Sequence, residues 1–135
     1  MDDILTKIKK WNKERLLHKV PFDHTREASF IIEELLESTG TYDSVTARTL
    51  AENYAKEIIS TSAESKEAIL DSFADIVVFA VGTMVKLGYD PAKVMEEVFK
   101  EIDSRKGTVI NGKFVKDPNA KRYTADFSQC IERED

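Results

Sequence analysis

Apolar residues recur at helical spacing from the first few residues. Ile4, Leu5, Ile8, Trp11 and Leu16 predict an amphipathic helix over about residues 3–18, with Trp11 in a core or a subunit interface. Pro21 stops it, and Asp23 or Thr25 is placed to cap a second helix. Ala28, Ile31, Ile32 and Leu35 form the apolar face of that helix. Glu27, Glu34 and Glu37 lie opposite, with Glu33 to one side. Gly40 suits the left-handed position that follows a helix. Asp43 or Ser44 opens a third helix with Ala47, Leu50, Ala51, Tyr54, Ala55 and Ile58 on one face. Glu52 and Lys56 make an i, i+4 pair on the other. Ser60-Thr61-Ser62 is a break, and Thr61 with Glu64 fits a capping box for the next helix.

That fourth helix, from about Ala68 to Leu87, is apolar almost all round. Ile69, Leu70, Phe73, Ile76, Val77, Val78, Phe79, Val81, Met84 and Val85 leave one narrow stripe, occupied by Asp71, Asp75 and Gly82. A helix of this kind is usually buried, so Asp71 and Asp75 are expected to point into the protein. Buried carboxylates pair, protonate or hold a metal. Two readings follow: salt bridges to a neighbouring helix, or a metal-holding cleft beside the small residues. Gly88 ends the helix and Asp90-Pro91 restarts the chain. Val94, Met95, Val98, Phe99 and Ile102 then mark a fifth helix that ends near Arg105-Lys106-Gly107. The period next changes to two. Asn111-Gly112 between Thr108-Val109-Ile110 and Lys113-Phe114-Val115 predicts a small β-hairpin. The rest is polar and expected to be irregular, folding over a neighbour or fraying.

The pattern gives an all-α fold of four or five helices with a C-terminal hairpin. At 135 residues it is read as one domain, 1–135, with a helical core over about 3–106 and a hairpin and tail over 107–135. Net charge is −5, from 25 acidic against 20 basic residues, which argues against a nucleic-acid polymer as partner. Cys130 is the single cysteine, so no disulfide framework or thiolate metal site can form within one chain, and a cytoplasmic home is expected. The acidic start, Met1-Asp2-Asp3-Ile4, is unlike a signal peptide. The run Ile76–Val85 is shorter than the ~20 residues of a membrane span, so no membrane partner is expected.

The second and fourth helices carry the candidate chemistry. Glu34 and Glu37, three apart, share a face, as Asp71 and Asp75 do at i and i+4. The glutamates read either as a solvated acidic face or as half of an all-oxygen cage suited to Mg²⁺ or Mn²⁺. A di-iron site would need Glu-x-x-His on two helices, and neither His18 nor His24 completes one.

The order of these motifs resembles the MazG-like all-α nucleotide pyrophosphohydrolases, related to phosphoribosyl-ATP pyrophosphohydrolases and dimeric dUTPases. The resemblance rests on Glu33-Glu34-x-x-Glu37, on Asp75 in Ala74-Asp75-Ile76-Val77-Val78, on Lys86-Leu87-Gly88-Tyr89-Asp90-Pro91, and on Gly112-Lys113-Phe114-Val115-Lys116-Asp117-Pro118-Asn119. It spans about residues 27–119. It implies Mg²⁺-dependent hydrolysis of a ribo- or deoxyribonucleoside triphosphate to the monophosphate and pyrophosphate, as nucleotide-pool house-cleaning. It implies metal ligands at Glu34, Glu37, Asp71 and Asp75, and catalytic roles for Glu33 and Glu34. Arg105, Lys113 and Lys116 would neutralise phosphates, and the active form would be a homodimer or homotetramer. Two departures stand out. Ser72 occupies the place of the family's second-motif Glu, with Asp71 as nearest substitute, and the last helix lacks the family's Asn. The alternatives are phosphoribosyl-ATP as substrate, or a non-catalytic helical module that binds a nucleotide or a partner.

Overall fold

Each of four helices begins at an aspartate. In the computed structural model, which describes residues 2–59 and 65–132, the carboxylates of Asp3, Asp23, Asp43 and Asp90 accept the backbone N–H of Thr6, Arg26, Thr46 and Ala92. Each satisfies an amide that the helix leaves unpaired. The helices so started are α1 (Ile4–Glu14), α2 (His24–Glu37), α3 (Ser44–Ile58) and α5 (Pro91–Ser104), with α4 (Lys66–Lys86) between the last two. A 3₁₀ turn, Leu17–Lys19, follows α1, and β1 (Gly107–Ile110) and β2 (Lys113–Lys116) follow α5. The described residues are thus mostly helical, with one small antiparallel hairpin, as the hydrophobic pattern predicts. The predicted Ser60–Ser62 break and the Thr61–Glu64 capping box lie outside the described residues.

Some boundaries moved for visible reasons. The first helix ends four residues short of residue 18 because Leu16 takes a left-handed conformation at φ 56°. Asn111 and Gly112, at φ 50° and 79°, form the tight turn that joins β1 to β2. At the open end of the hairpin Gly107 faces Lys116, and a Cβ on Gly107 would sit 1.9 Å from the Val115 carbonyl oxygen. Gly107→Ala is therefore expected to open this end, at about 1–3 kcal/mol for overpacking. Loss of the cross-strand Gly107–Lys116 NOE, with the helical CD signal kept, is the check.

The chain forms two compact units, Pro21–Ser65 and the combination of Met1–Val20 with Lys66–Asp135. In the Pro21–Ser65 unit, α2 packs on α3 through the row Ala47, Ala51 and Ala55, all at 0% exposure. Alanines at i, i+4 and i+8 let the helices approach closely. The side of α2 in that contact is polar: Ser29 and Glu33 are buried, whereas Leu35 is 68% exposed. The expected faces of α2 are thus partly inverted. Arg48 of α3 supplies the reason, because it draws Ser29 and Glu33 inward. The expected Glu52–Lys56 pair is also replaced, since Glu52 binds Arg48 at 2.8 Å.

In the other unit α5 is the centre. Lys7 of α1 reaches Glu96 at 2.8 Å, α4 lies against α5, and Val94 is buried. Phe114 of β2 meets Trp11 edge-on with ring centres 5.3 Å apart, and the Arg15 guanidinium lies 4.3 Å from the Trp11 ring centre. The tail returns over α5. Tyr123 and Asp126 bind Glu97, Ala125 binds Glu101, and Ile131 bridges to Tyr89. This buries Cys130, which composition alone placed in a polar tail.

The main correction concerns α4. It contains no buried residue, and Leu70, Val77, Val78, Phe79 and Val85 are each more than half exposed. Asp71 and Asp75 are likewise exposed rather than pointing inward. All-round apolarity describes a helix that calls for cover, and within this unit α5 covers only part of it. The helix is long and apolar enough to cross a membrane by length and composition. Against a bilayer, each Asp at mid-helix costs about 2.5–3.5 kcal/mol, and α4 carries two.

Candidate functional site

Four helical turns, two on each of two helices, hold the expected carboxylates. On α2, Glu34 is exposed and Glu37 half-buried, one turn apart. Glu33 points elsewhere. It is 7% exposed, and its Oε1 accepts from Arg48 Nη1 at 2.7 Å. Arg48 also donates to Ser29 Oγ and to Glu52 Oε1, and its guanidinium lies 5.1 Å from the Phe30 ring centre. Burial works against the Arg48 charge, but hydrogen bonds to Glu52 and Glu33 outweigh it and hold the guanidinium above its ordinary pKa. Glu33 is thus engaged by α3, while Glu34, its neighbour, is presented outward.

On α4, Asp71 and Asp75 lie one turn apart on the exposed side, and neither has a basic partner among the described residues. The salt-bridge reading of this pair is therefore not what the structure shows. Gly82 continues the stripe, and a Cβ there would meet nothing within 4 Å. Each helix so offers two carboxylates in reach of one small ligand. Among the described residues no group of three or more His, Cys, Asp or Glu side chains converges within either unit. The donors themselves are all carboxylate oxygens, which is the chemistry a hard divalent cation takes.

The expected phosphate-binding residues do not form one cluster. Arg105 is held by Glu101 at 3.0 Å. Lys113 and Lys116 are three apart on β2, so their side chains leave opposite faces of the hairpin. Lys116 is exposed and Lys113 half-buried.

No protein-family model, no curated protein and no solved structure matches the chain.

Of the two fates expected for the tail, the structure shows folding over a neighbour, and the residues of that α5–tail contact are not legible in the sequence. A groove of about 550 Å³ there is lined by Lys93, Glu97, Lys100, Tyr123, Asp126 and Cys130 among others. Glu97 is its anchor. Hydrogen bonds from the Tyr123 hydroxyl, the Asp126 amide and Lys100 bring its carboxyl down from 4.5 to about 2. The Ala125 amide, and then Arg105, lower Glu101 as well. The contacts with Tyr123, Ala125 and Asp126 span 24 to 29 residues, so no local spacing reveals them. A depressed folded-state pKa stabilises above the unfolded value and ceases to do so as protons bind. The tail contact is therefore expected to hold above about pH 4.5 and to loosen as pH falls towards about 2. Hydrogen-exchange protection of the Ala125 and Asp126 amides should vanish across that window. In Glu97→Gln the Asp126 protection should already be weak at neutral pH.

Proposed function

We propose that the chain is a Mg²⁺-dependent pyrophosphohydrolase of the MazG-like all-α type. It would cleave a ribo- or deoxyribonucleoside triphosphate to the monophosphate and pyrophosphate, as a cytoplasmic house-cleaning activity, and act as a homodimer or homotetramer. The observation that carries this reading is the Asp71–Asp75 pair. Two exposed carboxylates one turn apart, with no basic side chain on either among the described residues, repel each other slightly and are placed to take a divalent cation. The glutamates of α2 supply the same chemistry, and the motif order along the chain agrees with it.

The residues that would hold Mg²⁺ are Glu34, Glu37, Asp71 and Asp75. The ion, when bound, would polarise the phosphoryl group and reverse the local charge that repels a triphosphate. Glu34 is the carboxylate presented to take a proton from the attacking water. Glu33 positions α2 through Arg48 and leaves the base role to its neighbour. Lys116, exposed on β2, is available to bind phosphate, whereas Arg105 would first have to leave Glu101.

The test is a product assay on purified protein with Mg²⁺ or Mn²⁺ and a panel of ribo- and deoxyribonucleoside triphosphates, including phosphoribosyl-ATP. Pyrophosphate and phosphate are quantified separately. Metal-dependent pyrophosphate release without phosphate is expected. Ser72, at the place of an expected acidic ligand, favours a second reading, a non-catalytic nucleotide-binding or partner-binding module. Saturable nucleotide binding with no product on any substrate would replace the first reading by the second.

A further inference from the structure

The turn between α4 and α5 is held from a distance. Gly88, at φ 89°, closes α4: its N–H donates to the Val85 carbonyl at 2.9 Å, and that of Tyr89 to the Met84 carbonyl at 3.1 Å. Asp90 then caps α5. Two main-chain groups of this turn find their partners in the tail. The Asp90 N–H donates to the Cys130 carbonyl at 2.8 Å, and the Gly88 carbonyl accepts from the Glu132 N–H at 2.9 Å, on either side of the Tyr89–Ile131 bridge. The other end of the same stretch is fixed at the far end of the helix. Glu97, Glu101 and Ser104 share one face of α5. They accept the N–H groups of Asp126 at 3.0 Å, Ala125 at 3.0 Å and Tyr123 at 2.7 Å. Residues 123–132 thus run antiparallel to α5 along its length. We propose that this stretch is a strap that sets the angle of α4 on α5. Its two anchors, the Glu97–Glu101 clasp and the Gly88–Asp90 turn, open and close together.

The coupling follows from what each anchor can hold alone. Ordering an irregular stretch costs backbone entropy at every residue, and the two hydrogen bonds at the turn return less than that. The clasp is the stronger anchor, because its acceptors at Glu97 and Glu101 are carboxylates and hydrogen bonds to a charged group are the strong ones. Between the anchors the chain only turns on itself. The Ser128 N–H donates to Asp126 Oδ1 at 3.0 Å, and the Cys130 N–H to the Phe127 carbonyl at 2.9 Å. With the clasp closed, the 130–132 end is held beside the turn and its docking is a local event. With the clasp lost, the nearest tie is at the hairpin, where the Asp117 N–H donates to the Lys106 carbonyl. A much longer stretch must then be ordered for the same two bonds. The angle of α4 depends on them because α5 touches α4 without burying any of its residues. Its direction therefore rests on residues 87–90, and the strap supplies two of the bonds that hold them. Asp71 and Asp75 lie on α4, so on the reading proposed above the strap would govern where those carboxylates stand. The strap itself does not depend on that reading, and its test reads neither turnover nor metal.

Amide hydrogen exchange of the full chain at neutral pH is the first measurement. The Asp90 and Glu132 amides at one anchor and the Ala125 and Asp126 amides at the other should open with one common equilibrium constant. Glu97→Ala combined with Glu101→Ala removes the clasp and leaves good helix formers on α5. The double variant should lose Asp126 protection. At the opposite end of the helix, Asp90 and Glu132 protection should fall at least about tenfold, while amides in the middle of α5, such as Val98, keep theirs. Glu132→Pro removes the donor to Gly88 and should weaken Ala125 and Asp126 in turn, since coupling is reciprocal. Residual dipolar couplings should fit one rigid arrangement of α4 and α5 in the wild type and more than one in the double variant. Asp90 and Glu132 amides that stay protected in the double variant would make the anchors independent. Unchanged couplings of α4 relative to α5 would mean that the angle is set elsewhere. Either result overturns the proposal.

Discussion

Asp75→Asn is expected to lower metal-dependent pyrophosphate release by at least about a hundredfold, the range seen when one group that stabilises developing charge is removed. Asparagine keeps the shape and one oxygen donor but removes the charge that attracts a divalent cation. The loss should appear in kcat/KM, and raised Mg²⁺ should recover part of it if affinity for the ion is what fell. Stability should not fall, because Asp75 is exposed and has no basic partner among the described residues. A slightly higher melting temperature would fit, since like charges one turn apart on α4 repel. Glu37→Gln should behave the same way. Asp71→Asn decides whether Asp71 stands in for the acid that Ser72 lacks. A loss as deep as that of Asp75→Asn gives it a ligand's role, and wild-type activity removes it from the set. Full activity in Asp75→Asn, with the protein folded and metal present, would sink the metal assignment altogether.

The elements were legible because their signals are local. Asp3, Asp23, Asp43 and Asp90 each cap within three residues, and Asn111-Gly112 encodes its turn in two. Periodicity also located α4, but could not say what covers it. An all-round apolar helix has the same pattern whether its cover is the rest of the chain, another copy or lipid. For that reason periodicity places Asp71 and Asp75 on one stripe but does not fix the direction in which the stripe faces. Helical periodicity also misleads on α2. It ranks faces by apolar content, and here Arg48, fifteen residues on, reverses the ranking by binding Glu33 and Ser29. The i, i+4 spacing of Arg48 and Glu52 was visible; the fact that Arg48 also reaches across to α2 was not.

Arg48 is where the largest stability effect is expected. Its guanidinium satisfies Glu33, Ser29 and Glu52 at once, and Glu33 is 7% exposed. Arg48→Met keeps much of the apolar stem but removes the guanidinium over Phe30 and every charged hydrogen bond. Glu33 is then left in the α2–α3 contact without its cation. Breaking a fully buried pair costs about 3–5 kcal/mol. The Arg48 side chain is 24% exposed, so water screens part of the loss and about 2–3 kcal/mol is the expectation. Arg48→Lys keeps the charge but cannot fork to three acceptors, and should fall between Met and wild type. Glu33→Gln with Arg48→Met removes both charges and should recover much of the stability, as neutral replacements of buried pairs do. Urea unfolding of the four proteins measures this cycle directly. An Arg48→Met loss under about 0.5 kcal/mol, the range of an ordinary surface change, would mean that the alanine row alone holds α2 on α3. The same variants separate structure from chemistry. If Glu33 only positions α2, the double variant should regain turnover along with stability, whereas a Glu33 that takes the proton would leave it folded and inactive.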